Sequence, residues 1–202
     1  MAASATATAA TAGSATNLPI HRLDVDAYNR IVASGALEGE RVELLDGLLV
    51  EVSPQSPAHA TLVERLMLRL AASRLPLRVQ SPLEVPPGSE PEPDLAVFAE
   101  QPPPDRHPHT AVLAIEVAVS SQTIDRSVKA IKYAHAGIPT YWLIDVPART
   151  VEIYTEPGES GYGHCERRGG DARLPCGLEG VQDIDLAALF EGIETGEATH
   201  KS

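Results

Sequence analysis

Cysteine is nearly absent. Cys165 and Cys176 are the only two in 202 residues, too few for a disulfide framework, and their spacing fits no zinc motif. His164 beside Cys165 invites a metal reading, but the expectation is that both thiols are reduced and structural. No apolar run approaches the roughly 20 residues that a membrane span needs. The first stretch, MAASATATAATAGSATN, has no basic start and no apolar heart, so it is not a secretory signal. It also lacks the arginines of an organelle transit peptide. Its Ala/Thr/Ser bias suits a disordered leader, and the default compartment is the cytoplasm. A glycine-rich phosphate loop is missing too, which argues against an NTP-driven reaction. Positive charge is scarce: the formal net charge is -12, the wrong sign for a loose nucleic-acid binder.

That charge is unevenly spread. From Ser56 to Arg149, ten Asp/Glu stand against nine Lys/Arg. The excess acid lies outside, in LEGERVELLDGLLVE before this stretch and from Glu179 to Glu197 after it. A near-neutral centre is free to present a basic groove. Arg65, Arg69, Arg74 and Arg78 are its candidates, although a solvated helix face is their ordinary role. With 43% hydrophobic and 22% charged residues, the chain is globular and long enough for one domain with a proper core.

Periodicity places the elements. LDVDAYNRIVASG reads as a short helix with Leu23, Ala27, Tyr28 and Ile31 on one face and Gly35 as its stop. RVELLDGLLVEV reads as a hairpin around Asp46-Gly47. Ser56 and Pro57 open a helix whose apolar face is Leu62, Val63, Leu66 and Leu70. Strands follow in PLRVQSPLEV, PDLAVFA and AVLAIEVAVS, separated by proline-rich loops. TIDRSVKAIKYAHAG is a helix with Val128, Ile131 and His135 at helical spacing, and TYWLIDV and TVEIYTE are paired strands. Beyond Gly158 the signals weaken, and DIDLAALF suggests a closing helical turn. The core order is helix, strand, strand, strand, helix, strand: an α/β fold with helices covering a mixed sheet.

One residue in this pattern is out of place. Glu116 sits inside VLAIEVAVSS, a strand that reads as buried on both faces. An unpaired carboxylate there costs several kcal/mol or holds a proton. A cation, a basic side chain or an opening to water would each resolve this. Alternation puts Glu116 on one face with Val112, Ala114 and Ala118, where the two alanines leave room for a cleft. Asp94 opens the preceding strand and converges on Glu116 if the two strands are neighbours. Two such carboxylates repel unless something positive stands between them, and hard oxygen ligands suit Mg²⁺ or Mn²⁺. The following helix supplies Lys129, four residues after Asp125 and four before Tyr133, and Lys132 nearer the apolar stripe. The plainer outcome is an Asp125–Lys129 surface pair worth a few tenths of a kcal/mol.

VELLDGLLVEVSPQSPAH, PEPDLAVF, IEVAVSS and DRSVKAIKYAHAGIPTYWLIDV, in that order, resemble the Uma-two-type restriction endonuclease family of the PD-(D/E)XK nuclease superfamily. The resemblance spans roughly residues 20 to 155. It implies a restriction-endonuclease-like domain over 18–190 in αβββαβ order, preceded by an N-terminal helix and β-hairpin, with disordered ends over 1–17 and 191–202. It implies Mg²⁺- or Mn²⁺-assisted hydrolysis of nucleic acid, DNA first. It makes Asp94 the acid of the PD motif and Glu116 the acid of the next strand, with the Val117 carbonyl as a third metal ligand. The lysine that the superfamily places two residues after the acid is replaced by Ala118. The pattern D-x-x-x-K-x-x-x-Y assigns that role to Lys129 and brings in Tyr133. Glu43 and His59 fall on positions typical of the family; otherwise they read as an exposed strand residue and a capping or packing residue. A homodimer is expected because nucleases that cut both strands are commonly dimers. The competing expectation, raised by Ala118 and the acidic charge, is a catalytically inactive nuclease-fold binding or structural module.

Overall fold

A computed structural model describes residues 19–194. The expected leader lies outside these residues, as does 195–202 of the expected tail. Within the described part of that tail, expected to be disordered from residue 191, Ile193 is buried against the core.

α1 (Val25–Ala33) starts at Asp24, whose carboxylate accepts from the Ala27 amide at 2.7 Å. β1 (Val42–Leu45) and β2 (Leu48–Glu51) form an antiparallel hairpin. Asp46 and Gly47, at φ 51° and 75°, make the tight turn that hairpin twist favours. α2 (Pro57–Leu70) is capped by Ser56, which accepts from the His59 amide at 3.2 Å. β3 (Leu77–Val79), β4 (Leu95–Val97) and β5 (Leu113–Ala118) follow. A helical segment comes next: α3 (Gln122–Ile124), a π turn over Asp125–Lys129, and α4 (Ala130–His135). β6 (Thr140–Asp145), β7 (Thr150–Gly158) and β8 (Gly161–Gly169) complete the sheet. β9 (Arg173–Leu174), β10 (Ile184–Asp185) and α5 (Leu186–Leu189) close the chain, α5 being the expected last helical turn.

The main sheet has the order β3-β4-β5-β6-β7-β8, with β5 and β6 parallel and every other pair antiparallel. Its two faces differ in kind. Leu113, Ile115 and Val117 of β5 face an aliphatic core with Leu62, Leu66 and Leu70 of α2, Trp142, Ile144 and Phe190. Ala114 and Ala118 face the other way, toward Tyr133, Tyr141, Leu143 and Ala130. The hairpin stands outside this sheet. Its turn is fixed through Gly47, which donates to the Gly88 carbonyl at 2.7 Å and accepts from the Leu23 amide at 3.0 Å. No helix among the described residues is long and apolar enough to cross a membrane.

Three sequence expectations need correction. The strand expected over 76–85 ends at Val79: Gln80 has φ 47°, and Pro82, Pro86 and Pro87 lack the amides that a ladder needs. β8 lies where the signals had weakened, since glycines and charged residues hide the alternation of an edge strand. The apolar stripe expected on the helix is not its buried face. Ile131 and His135 are exposed and Val128 half-buried, whereas Asp125, Lys129, Lys132 and Tyr133 point inward.

Candidate active site

The β4–β5 ladder sets Leu95 opposite Ile115, so the next residues outward are Asp94 and Glu116. Both are buried at the end of this pair. Asp94 is held from two sides: its Oδ2 accepts from the Val117 amide at 2.8 Å, and its Oδ1 lies 2.9 Å from His59 Nε2 on α2. The Gln80 amide is at 3.5 Å from the same Oδ1. The Val117 carbonyl lies beyond the end of the ladder, which pairs β5 with β4 only over Leu113–Ile115.

Glu116 has other partners. Its Oε1 accepts from Lys129 Nζ at 3.0 Å and from the Tyr133 hydroxyl at 2.5 Å. Lys129 is the hub. Its ammonium also donates to Glu43 Oε1 at 3.0 Å, and Asp125 Oδ1 lies 3.9 Å away. Glu43 Oε2 is 2.9 Å from the ammonium but takes no well-aligned hydrogen bond, and Asp125 Oδ1 has no hydrogen-bond partner among the described residues. Ser121 donates to the other Asp125 oxygen at 2.5 Å. Lys132 goes elsewhere, to Asp46 at the tip of the hairpin.

The π turn makes this convergence possible. In an α-helix four residues overshoot a turn by about 40°, so Asp125 and Tyr133 would stand about 80° apart. One wider turn over Asp125–Lys129 takes back much of that drift, and Asp125, Lys129 and Tyr133 face the same strand. The alanine space beside Glu116 is not an empty cleft, because Tyr133 and Tyr141 fill it. The open volume is a cleft of about 460 Å³ at the end of β5, lined among others by Glu43, His59, Asp94, Glu116, Val117 and Lys129.

Charge in this cleft is one-sided. Burial raises the Glu116 carboxyl well above its ordinary range, with Asp125, Asp94 and Glu43 adding to the shift and Lys129 opposing it. Burial likewise raises Glu43 and Asp125, again against the pull of Lys129. Glu92, on the cleft wall, is raised by burial and by Glu43. Burial works against a charged Lys129, yet Glu116, Glu43 and Asp125 outweigh it and raise the ammonium overall. One buried lysine thus serves three carboxylates, with two more acids beside them.

Glu43, His59, Asp94, Glu116, Lys129 and Val117 border this one place, and Tyr133 stands behind Glu116 without lining the cleft. Glu43, read either as an additional acid near the site or as an exposed strand residue, is 4% exposed and reaches in from the hairpin. His59 is both a first-turn residue of α2 and the partner of Asp94. Asp125 is no surface pair: it is 1% exposed. Its signal was the D-x-x-x-K spacing, read as an ordinary helix-face pair. Ser121 and Gln80 gave no signal. The arginine groove does not form at the site. Arg65 donates to the Leu189 and Glu191 carbonyls, both at 2.7 Å, and Arg78 donates to the Pro103 carbonyl at 2.9 Å.

Asp94, Glu116 and the Val117 carbonyl form a hard, all-oxygen donor set. No three His, Cys, Asp or Glu side chains among the described residues form a ready-made metal cluster. Mg²⁺ does not require one, since it keeps several waters and takes one or two carboxylates. The excess of buried carboxylates over the one buried lysine at this sheet end fits an added cation.

No curated protein matches the chain. Among solved structures, it is similar to a "putative nuclease belonging to DUF820" from Anabaena variabilis, with a TM-score of 0.65 at 15% identity, covering 83% of this chain and 97% of the other. That likeness confirms the nuclease-like α/β fold. The family model Uma2, described as "Putative restriction endonuclease", matches residues 25–188. With its strands, helix and cleft residues falling inside that match, the chain belongs to the Uma2 restriction endonuclease family.

Proposed function

We propose that this chain is a divalent-metal-dependent endonuclease of PD-(D/E)XK type that hydrolyses phosphodiester bonds in nucleic acid, with DNA as the first substrate. The observation that carries this reading is Asp94 opposed to Glu116 at one sheet end, with Lys129 bonded to Glu116 from the facing helix. Asp94, Glu116 and the Val117 carbonyl would hold Mg²⁺ or Mn²⁺. Such an ion supplies a water of lowered pKa and offsets charge on the phosphate. The Val117 amide and His59 fix the orientation of Asp94. Tyr133 fixes Glu116 through a short hydrogen bond. Lys129 takes the place of the lysine that Ala118 replaces: it stands over the same carboxylate and presents positive charge where a phosphate oxygen gains negative charge. Glu43 and Asp125 keep that ammonium charged.

A second reading has its own support. Lys129 is already satisfied by carboxylates, and both oxygens of Asp94 are engaged, as in a structural ion network of an inactive module. Incubation of supercoiled plasmid with Mg²⁺, with Mn²⁺ and with chelator separates the two. Metal-dependent nicking that Glu116→Gln abolishes supports the enzyme. Intact plasmid with both metals supports the inactive module, and nicking unchanged by Glu116→Gln refutes the catalytic assignment of Glu116.

A further inference from the structure

β8 ends the main sheet and pairs only with β7. With nine residues it is, alongside β7, the longest strand described. Five consecutive residues at its centre, Gly163 to Arg167, are exposed. Its ends are tied down: the Tyr162 hydroxyl donates to the Ile138 carbonyl at 2.8 Å, and Arg168 donates to the Arg173 carbonyl at 2.7 Å. An exposed edge offers a row of unpaired amides and carbonyls, which proteins usually blunt with charged side chains, proline or a very short strand. β8, GYGHCERRG, is long and has no proline, and its charges are of both signs, so they can pair across a second copy.

We propose that this edge joins two copies of the chain, β8 to β8, antiparallel about a two-fold axis at Cys165. The axis of a symmetric antiparallel pair passes midway between two opposed residues, so one residue must face its own copy. Charge selects which. Centring on Glu166 opposes two carboxylates and sets His164 against Arg168. Centring on Arg167 opposes two guanidinium groups, and centring on His164 opposes two imidazoles. Centring on Cys165 opposes two small thiols. It also sets His164 against Glu166 twice and Gly163 against Arg167, whose guanidinium stays turned back to Glu152 on β7. Arg168 already holds the Glu166 carboxylate through two contacts of 2.9 and 3.0 Å, so the acid is preset before the copies meet.

The result is one continuous sheet. Each candidate cleft lies on β5, three strands in from β8, and the axis keeps both on the same side of the sheet. The two β5 strands are then seven strand spacings apart, about 34 Å before twist is counted. The dimer itself does not depend on the nuclease reading.

Sedimentation velocity of the full chain over a concentration series, paired with diamide oxidation, tests this. Diamide takes the two thiol hydrogens as the two sulfurs join. A reduced dimer is expected, and oxidation should link it through Cys165; Cys165→Ser should show no link, since the other thiol, Cys176, is buried. Glu166→Arg sets arginine against histidine twice and should weaken dimerisation about tenfold with an unchanged circular dichroism spectrum. A chain that stays monomeric throughout overturns the proposal. So does a dimer indifferent to Glu166→Arg, or one that diamide does not link through Cys165.

Discussion

Lys129→Met removes the only cation bonded to Glu116 and Glu43 among the described residues, and the cost can be worked from the geometry. The ammonium lies 3.0 Å from Glu116, 2.9 Å from Glu43 and 3.9 Å from Asp125, and all three acids are buried. Breaking a buried pair by deleting one partner costs about 3–5 kcal/mol. Proton uptake by the stranded carboxyls, already raised by burial, holds the loss near the lower end. For a domain of this size that is a fall in Tm of about 10 °C in chelator-containing buffer. Glu116→Gln is different. Lys129 keeps Glu43 and Asp125, and the glutamine oxygen still accepts from Lys129 and Tyr133. The lost charge-assisted hydrogen bond, about 1.5–3 kcal/mol, is offset by no longer burying a carboxylate. The net change should stay within about 1 kcal/mol, a few degrees at most. Thermal melts by circular dichroism, run beside the plasmid assay, check both. If Lys129→Met melts like the unsubstituted chain, or Glu116→Gln falls as far as Lys129→Met, the lysine is not the hub described and the reasoning fails.

Lys132→Met should cost under about 1 kcal/mol and leave plasmid nicking within a few-fold, because its partner Asp46 is half-exposed and regains water; nicking lost to the same degree as in Lys129→Met would contradict the division of labour between the two lysines. Burial alone would raise the Glu152 carboxyl, but hydrogen bonds from Arg126, Tyr154 and Arg167 bring it down to about 2. A carboxyl lowered on folding stabilises above its unfolded value near 4.5, and that stability disappears as pH falls from there toward 2. Denaturant titrations from pH 6 to 2 should therefore show a smaller acid loss in Glu152→Gln than in the unsubstituted chain, and parallel curves would refute the network. Gly47→Ala should destabilise by about 1–3 kcal/mol in urea unfolding, since φ is 75° and an added Cβ would stand 2.5 Å from Arg22 Cβ; an unchanged midpoint would show that the hairpin turn is free to shift.

What the sequence revealed followed from strong local rules. The Asp46-Gly47 turn, the Ser56 cap and the alternation through β5 each have a single good reading, and each stands in the structure. The approach of Asp94 to Glu116 followed from strand order alone. The helix face did not follow, because a periodic template assumes a constant turn, and one π turn resets the phase between Asp125 and Tyr133. Glu43 was legible only through the family resemblance. Its partner Lys129 is 86 residues away, and no local pattern encodes a partner at that distance. β8 was hidden because exposed edge strands carry glycine and charge in place of alternating apolar residues.

The two faces of the main sheet divide fold and chemistry by residue parity. Along β5, Leu113, Ile115 and Val117 point into the aliphatic layer, while Ala114, Glu116 and Ala118 point toward the tyrosines and the cleft. Neighbouring side chains on one strand therefore answer to different selective demands. The aliphatic layer can drift among residues of similar volume while the opposite side stays fixed, and the cleft can be altered without repacking the side beneath it. Such a strand is a bilingual stretch of sequence: every second letter can be rewritten for robustness, and the letters between for a new substrate.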